Sequence, residues 1–180
     1  MNAFEKKIKN FVFNDVFFYI LTFILSVSIF KVLNTHNIPN NEFSIKTIIS
    51  VLNFNPDWIA FQNRLMGPYI ILFISKLGFS FETAWKLFLA FFIILQNFTL
   101  VLILKKEKYK NFEIIIILSL FSLIFLIIQH FCLYPWDNID LFFFTLFSYW
   151  IIKDKNMIYF LTLFSLSLLN RETALFIPIY

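Results

Sequence analysis

The chain has a single cysteine, Cys132, so no disulfide can form within it and the redox compartment is not written in its thiols. Glycine is almost as scarce, with only Gly67 and Gly78, and arginine is limited to Arg64 and Arg171. Charged residues make up 14% of the 180 positions, against 60% hydrophobic. A water-soluble core of this size cannot hide so much apolar surface, whereas a bilayer accepts it on every face of a helix. The shortage of charge therefore excludes an ordinary globular domain. The shortage of glycine counts against a transporter, because transporter helices tend to be interrupted by glycine. The net charge of +4 is small and its lysines are clustered at the ends of apolar runs. They read as topology signals, and no nucleic-acid partner is expected.

What is present is a succession of apolar runs. The first, residues 16–33, follows Lys6, Lys7 and Lys9 and has no small-residue cleavage site after it. It reads as an uncleaved span with a cytoplasmic N-terminus. Residues 34–64 are polar and rich in Asn, with Pro39 and Pro56 as breakers. Within them Phe43, Ile45, Ile48, Ile49 and Leu52 recur at near-helical spacing, which predicts a short amphipathic helix lying on the membrane surface. Residues 83–104, 112–129, 139–152 and 157–169 each read as a span. Residues 174–180 begin another that is too short to cross, since crossing takes about 20 residues.

The pattern predicts an all-α, polytopic integral membrane protein with about five spans and a short re-entrant or interfacial segment at residues 65–78. Residues 1–180 read as one transmembrane domain, the N-terminal part of a longer protein. The segment at 65–78 is short, carries Pro68 and contains both glycines. If it stays on one side, the lysine clusters at residues 6–9, 105–110 and 153–155 all share the cytoplasmic side. The external side then receives residues 34–64, the loop at 130–140 and the turn at 170–173.

On that topology both arginines are external, against the insertion bias, so each invites a reason. Arginine grips phosphate or carboxylate with two parallel hydrogen bonds, as lysine cannot; snorkelling or an internal salt bridge is the plainer reading. The loop at 130–140 holds Tyr134, Pro135, Trp136, Asp137, Asn138 and Asp140. Asp137 and Asp140 share a helix face at this spacing. Such a carboxylate can serve as general base or bind a divalent cation, or Asp137 can simply cap the helix and Asp140 favour its N-terminal end. His130 and Cys132 are two apart with no second pair, so no metal set is assigned. Asn170 and Glu172 have the spacing of a cap and first turn of a new helix.

Together, the first span, the long external loop, the run Arg64, Leu65, Met66, Gly67, Pro68, the acidic loop and the run Asn170, Arg171, Glu172, Thr173 resemble bacterial membrane glycosyltransferases of the GT-C type. The resemblance implies a polyprenyl-phosphate-linked sugar donor, membrane lipid as surroundings and transfer on the extracytoplasmic side of the inner membrane, in cell-surface glycan assembly. It makes Asp57 the candidate base, with Asp137 and Asp140 as further catalytic candidates. Arg64, Arg171 and Glu172 become the substrate-binding candidates. The paired acidic motif that many such enzymes carry early in the first external loop is absent here, where Glu42 and Asp57 stand alone. A transporter or lipid-linked-glycan flippase, or a non-catalytic membrane scaffold, is the alternative.

Overall fold

Apolar helices that bury hydroxyls must satisfy them internally, and at four positions they do so through the carbonyl one turn back. Thr22 donates to the Phe18 carbonyl, Ser26 to Thr22, Ser122 to Leu118 and Thr145 to Leu141. The computed structural model describes residues 15–36, 38–56, 64–129, 134–153 and 156–170, and among these the regular structure is all α-helical. The helices are α1 Asp15–His36, α2 Ile38–Leu52, α3 Met66–Lys76, α4 Phe81–Lys106, α5 Asn111–Ile128, α6 Pro135–Ile152 and α7 Met157–Leu168.

Three of them, α1, α4 and α5, are long and apolar enough to cross a membrane. At 1.5 Å per residue they run about 33, 39 and 27 Å, against a hydrocarbon thickness of about 30 Å. The expectation of about five spans is met at this level by three. Helices α3 and α7 are apolar but extend only about 16 and 18 Å.

Buried polar pairs fix how the long helices face each other. Asn97 Nδ2 on α4 donates to Ser26 Oγ on α1 at 2.9 Å, and Gln96 Nε2 donates to Thr145 Oγ1 on α6 at 2.6 Å. Lys105, in the last turn of α4, sits over the rings of Phe18 and Tyr19 near the start of α1 (5.1 and 4.8 Å). Helices α1 and α4 are therefore antiparallel. The end of α1 and the start of α4 lie at the same end of the bundle, so the segment between them makes no net crossing. This agrees with the expectation that residues 65–78 do not span, and α3 is too short to do so.

Two lysine clusters lie at the other end. Lys106 lies over Tyr149 (5.3 Å), and Lys153 Nζ bridges to Glu107 Oε2 at 2.8 Å, joining the α4–α5 turn to the end of α6. The Glu107 hydrogen bond holds the Lys153 ammonium above its ordinary value of 10.5. The two lysine clusters at 105–110 and 153–155 thus meet through their described members. Lys6, Lys7, Lys9 and Lys155 lie outside the described residues.

Helix α2 departs from its expected pattern. Ile48 and Val51 are buried with Asn41, Ser44 and Thr47, while Phe43 and Ile49 stay exposed. Its apolar residues are divided between two faces, because one face packs on α3 and α4. Pro135, placed in the loop at 130–140 by the sequence, is the first residue of α6, as suits a residue with no N–H to leave unsatisfied. Helix α6 therefore starts earlier than the predicted span at residue 139.

Candidate site at the Asp140 end

The loop leading into α3 is hung on the end of α7. The Leu169 carbonyl accepts from both Leu65 N and Met66 N, at 3.2 Å each. Those N–H groups belong to a helix start, which has no intrahelical partners to offer them. Gly67, the second residue of α3, lies against the first residue of α6. A Cβ at position 67 would stand 2.9 Å from Pro135 Cβ, closer than carbon atoms pack, so only glycine permits this approach.

This approach delivers Arg64 to Trp136. The guanidinium carbon stands 5.2 Å from the indole centroid, within cation–π range. Arg64 is 7% exposed and Trp136 fully buried. Val51, Leu65 and Tyr134 pack round the indole. Tyr134 stacks on it with centroids 4.8 Å apart, and Phe43 of α2 meets Tyr134 edge-on. A guanidinium in such surroundings is partly desolvated, which strengthens its hold on any anion within reach.

Asp140 follows one turn beyond Trp136 and is 8% exposed. Asn170, fully buried just past the end of α7, donates through Nδ2 to Asp140 Oδ1 at 2.6 Å and to the Trp136 carbonyl at 2.7 Å. A carboxylate that accepts such a bond is held in one orientation. Asn170 Oδ1 is buried and makes no hydrogen bond among the described residues. The side chain expected to cap a following helix is used, through its nitrogen, to join α7 to α6.

Asp137 is in the first turn of α6 and half-buried, where the helix N-terminus favours its charge. The N-cap position belongs to Tyr134, so Asp137 is not the capping residue. Asn138 is buried and donates weakly to the Tyr134 carbonyl at 3.4 Å.

Of the six candidate residues, the structure brings Arg64 and Asp140 together around Trp136 and Asn170, with Asp137 on the same short helix start. Asp57, Arg171 and Glu172 lie outside the described residues, as do His130 and Cys132. Among the described residues, no three of His, Cys, Asp and Glu converge as a metal-binding group would. The bridging role of Asn170 and the spacing role of Gly67 escape a reading of the sequence. The signal for Gly67 was its place before Pro68 in a chain otherwise nearly free of glycine. Asn170 gave none, since its partners lie on another helix.

No protein-family model, curated protein or solved structure matches the chain.

Proposed function

We propose that the chain is a polytopic membrane protein of the bacterial inner membrane, with a cytoplasmic N-terminus, that transfers sugars from a polyprenyl-phosphate-linked donor at its Asp140 end. The observation that carries this reading is a desolvated arginine on Trp136 and an oriented carboxylate one turn along the same helix, at the end of the bundle opposite the lysine clusters at 105–110 and 153. Sugar transfer from a lipid phosphate needs both groups. A cation must hold the departing phosphate, and a carboxylate must take the acceptor hydroxyl's proton. Arg64 fills the first role and Asp140 the second. By the positive-inside rule the lysine clusters at 105–110 and 153–155 point to the cytoplasm, which leaves the Asp140 end outside.

The test is retention of polyprenyl phosphate by the purified chain in lipid nanodiscs, read by native mass spectrometry against the uncharged polyprenol. The reading expects retention of the phosphate alone, weakened about tenfold or more in Arg64→Lys, the size of a lost charged hydrogen bond. Equal retention of both lipids would remove Arg64 from phosphate binding. Asp140→Asn is expected to keep the lipid but abolish sugar transfer; retained transfer would remove Asp140 from the chemistry.

A further inference from the structure

Away from the Asp140 site, helices α1, α4, α5 and α6 line a small, partly open cavity of about 10 Å³. Its apolar walls include Phe92 and Phe125, but four polar side chains border it: Gln96, Asn97, Ser122 and Asn138. All four are buried, Gln96 to within 4% exposure. A space of that volume holds one water molecule and nothing larger.

The hydrogen bonds around it determine what such an occupant must offer. A hydroxyl has one proton. Thr145 gives its proton to the Leu141 carbonyl at 2.9 Å, so towards Gln96 it can only accept. Gln96 therefore presents its nitrogen to Thr145, and its oxygen is turned elsewhere. That Oε1 is buried and has no hydrogen-bond partner among the described residues. Ser122 gives its proton to the Leu118 carbonyl at 2.7 Å and likewise retains only lone pairs. The same reasoning applies to Ser26, which donates to Thr22 and accepts from Asn97 Nδ2. Of the four, Gln96 and Ser122 thus offer acceptors in want of protons, beside the amide groups of Asn97 and Asn138. An occupant of one heavy atom with two protons to give is water.

We propose that this cavity is an internal water site, the water donating to Gln96 Oε1 and Ser122 Oγ and so tying α5 to α4. The tie has a consequence for assembly. Of the three long helices, α5 has the smallest share of its residues inside the bundle. Its other buried side chains, such as Ile114, Leu118 and Phe125, are apolar. In a bilayer, lipid tails serve apolar side chains as well as a neighbouring helix does, so hydrogen bonds and close packing decide which helices associate. Ser122 is the buried polar residue of α5, and the water is what its lone pairs reach.

Synchrotron hydroxyl-radical footprinting of the purified chain in lipid nanodiscs tests this, because radicals made from an internal water oxidise the side chains beside it. Phe92 and Phe125 are expected to oxidise in excess of the similarly buried Phe143 and Phe147, with isotope-labelled oxygen entering more slowly than at exposed Phe112. The excess should be lost in Gln96→Met and in Ser122→Ala. Absence of any excess in the wild-type chain overturns the site, whatever the variants do. An excess that persists in both variants overturns the assignment to Gln96 and Ser122.

Discussion

Asn170 and Asp140 are thirty positions apart in the chain, and the amide nitrogen of one stands 2.6 Å from the carboxylate oxygen of the other, both buried. The same nitrogen serves the Trp136 carbonyl. Asn170→Ala would leave two buried acceptors without that donor, at a cost of about 1–3 kcal/mol for each group left unsatisfied. A lowered melting temperature of the detergent-solubilised chain is the expected result; an unchanged one would show that the bond contributes nothing.

Asn170→Asp should behave differently with pH. The new carboxylate would face Asp140, so its folded-state affinity for protons would rise above that of the unfolded chain. A group raised in this way makes the fold more stable at acid pH and less so as pH climbs through the raised value. The variant is expected to melt lower than wild type at pH 8 and to regain part of the difference towards pH 4. Parallel melting curves at both pH values would contradict the pairing.

Gly67→Ala forces α3 away from Pro135, since the added carbon has 2.9 Å where it needs more. Overpacking of this kind costs about 1–3 kcal/mol. It should also move Arg64 off the Trp136 ring, so a change in tryptophan emission is expected along with the lower stability.

Two helices end in left-handed turns without glycine. Phe54 has φ 56° and Lys108 has φ 62°, each closing a helix with a six-to-one and a five-to-two hydrogen bond. Left-handed backbone costs a non-glycine residue about 1 kcal/mol, so Phe54→Gly and Lys108→Gly are each expected to stabilise by roughly that amount. A loss of stability at Lys108→Gly would mean that the lysine side chain contributes more than its backbone costs.

The Lys153–Glu107 bridge predicts a loss at high pH. Lys153 is held above 10.5, so its contribution is complete below that value and fades as pH rises through the higher, folded-state one. Lys153→Arg, which stays charged, should keep its melting temperature at a pH where wild type has lost some. Identical alkaline profiles would exclude the bridge as a stabilising contact.

The sequence made the helices legible because apolar runs leave little choice of structure, and α1, α4 and α5 fall within a few residues of their expected bounds. The interfacial helix was only half legible. Phe43, Ile45, Ile48, Ile49 and Leu52 have helical spacing, but spacing does not say that Ile48 turns inward with Asn41, Ser44 and Thr47. Gln96 and Asn97 sit mid-span in α4, and their partners Thr145 and Ser26 lie on helices remote in sequence, which periodicity cannot pair. The sequence put Pro135 in the loop before a span at 139; proline is disfavoured inside a helix yet suits its first position, and α6 begins there instead.

The Leu169 carbonyl that receives Leu65 and Met66 has a consequence for biosynthesis. A ribosome makes Arg64 and the start of α3 long before it makes α6 or α7. Throughout that interval the first N–H groups of α3 have no carbonyl to meet and Arg64 has no indole to lie on. The nascent chain therefore carries its arginine without an indole until α6 has emerged, and the first N–H groups of α3 without their carbonyl until Leu169 has. A ribosome stalled short of that point would display an inserted bundle with an unfinished centre.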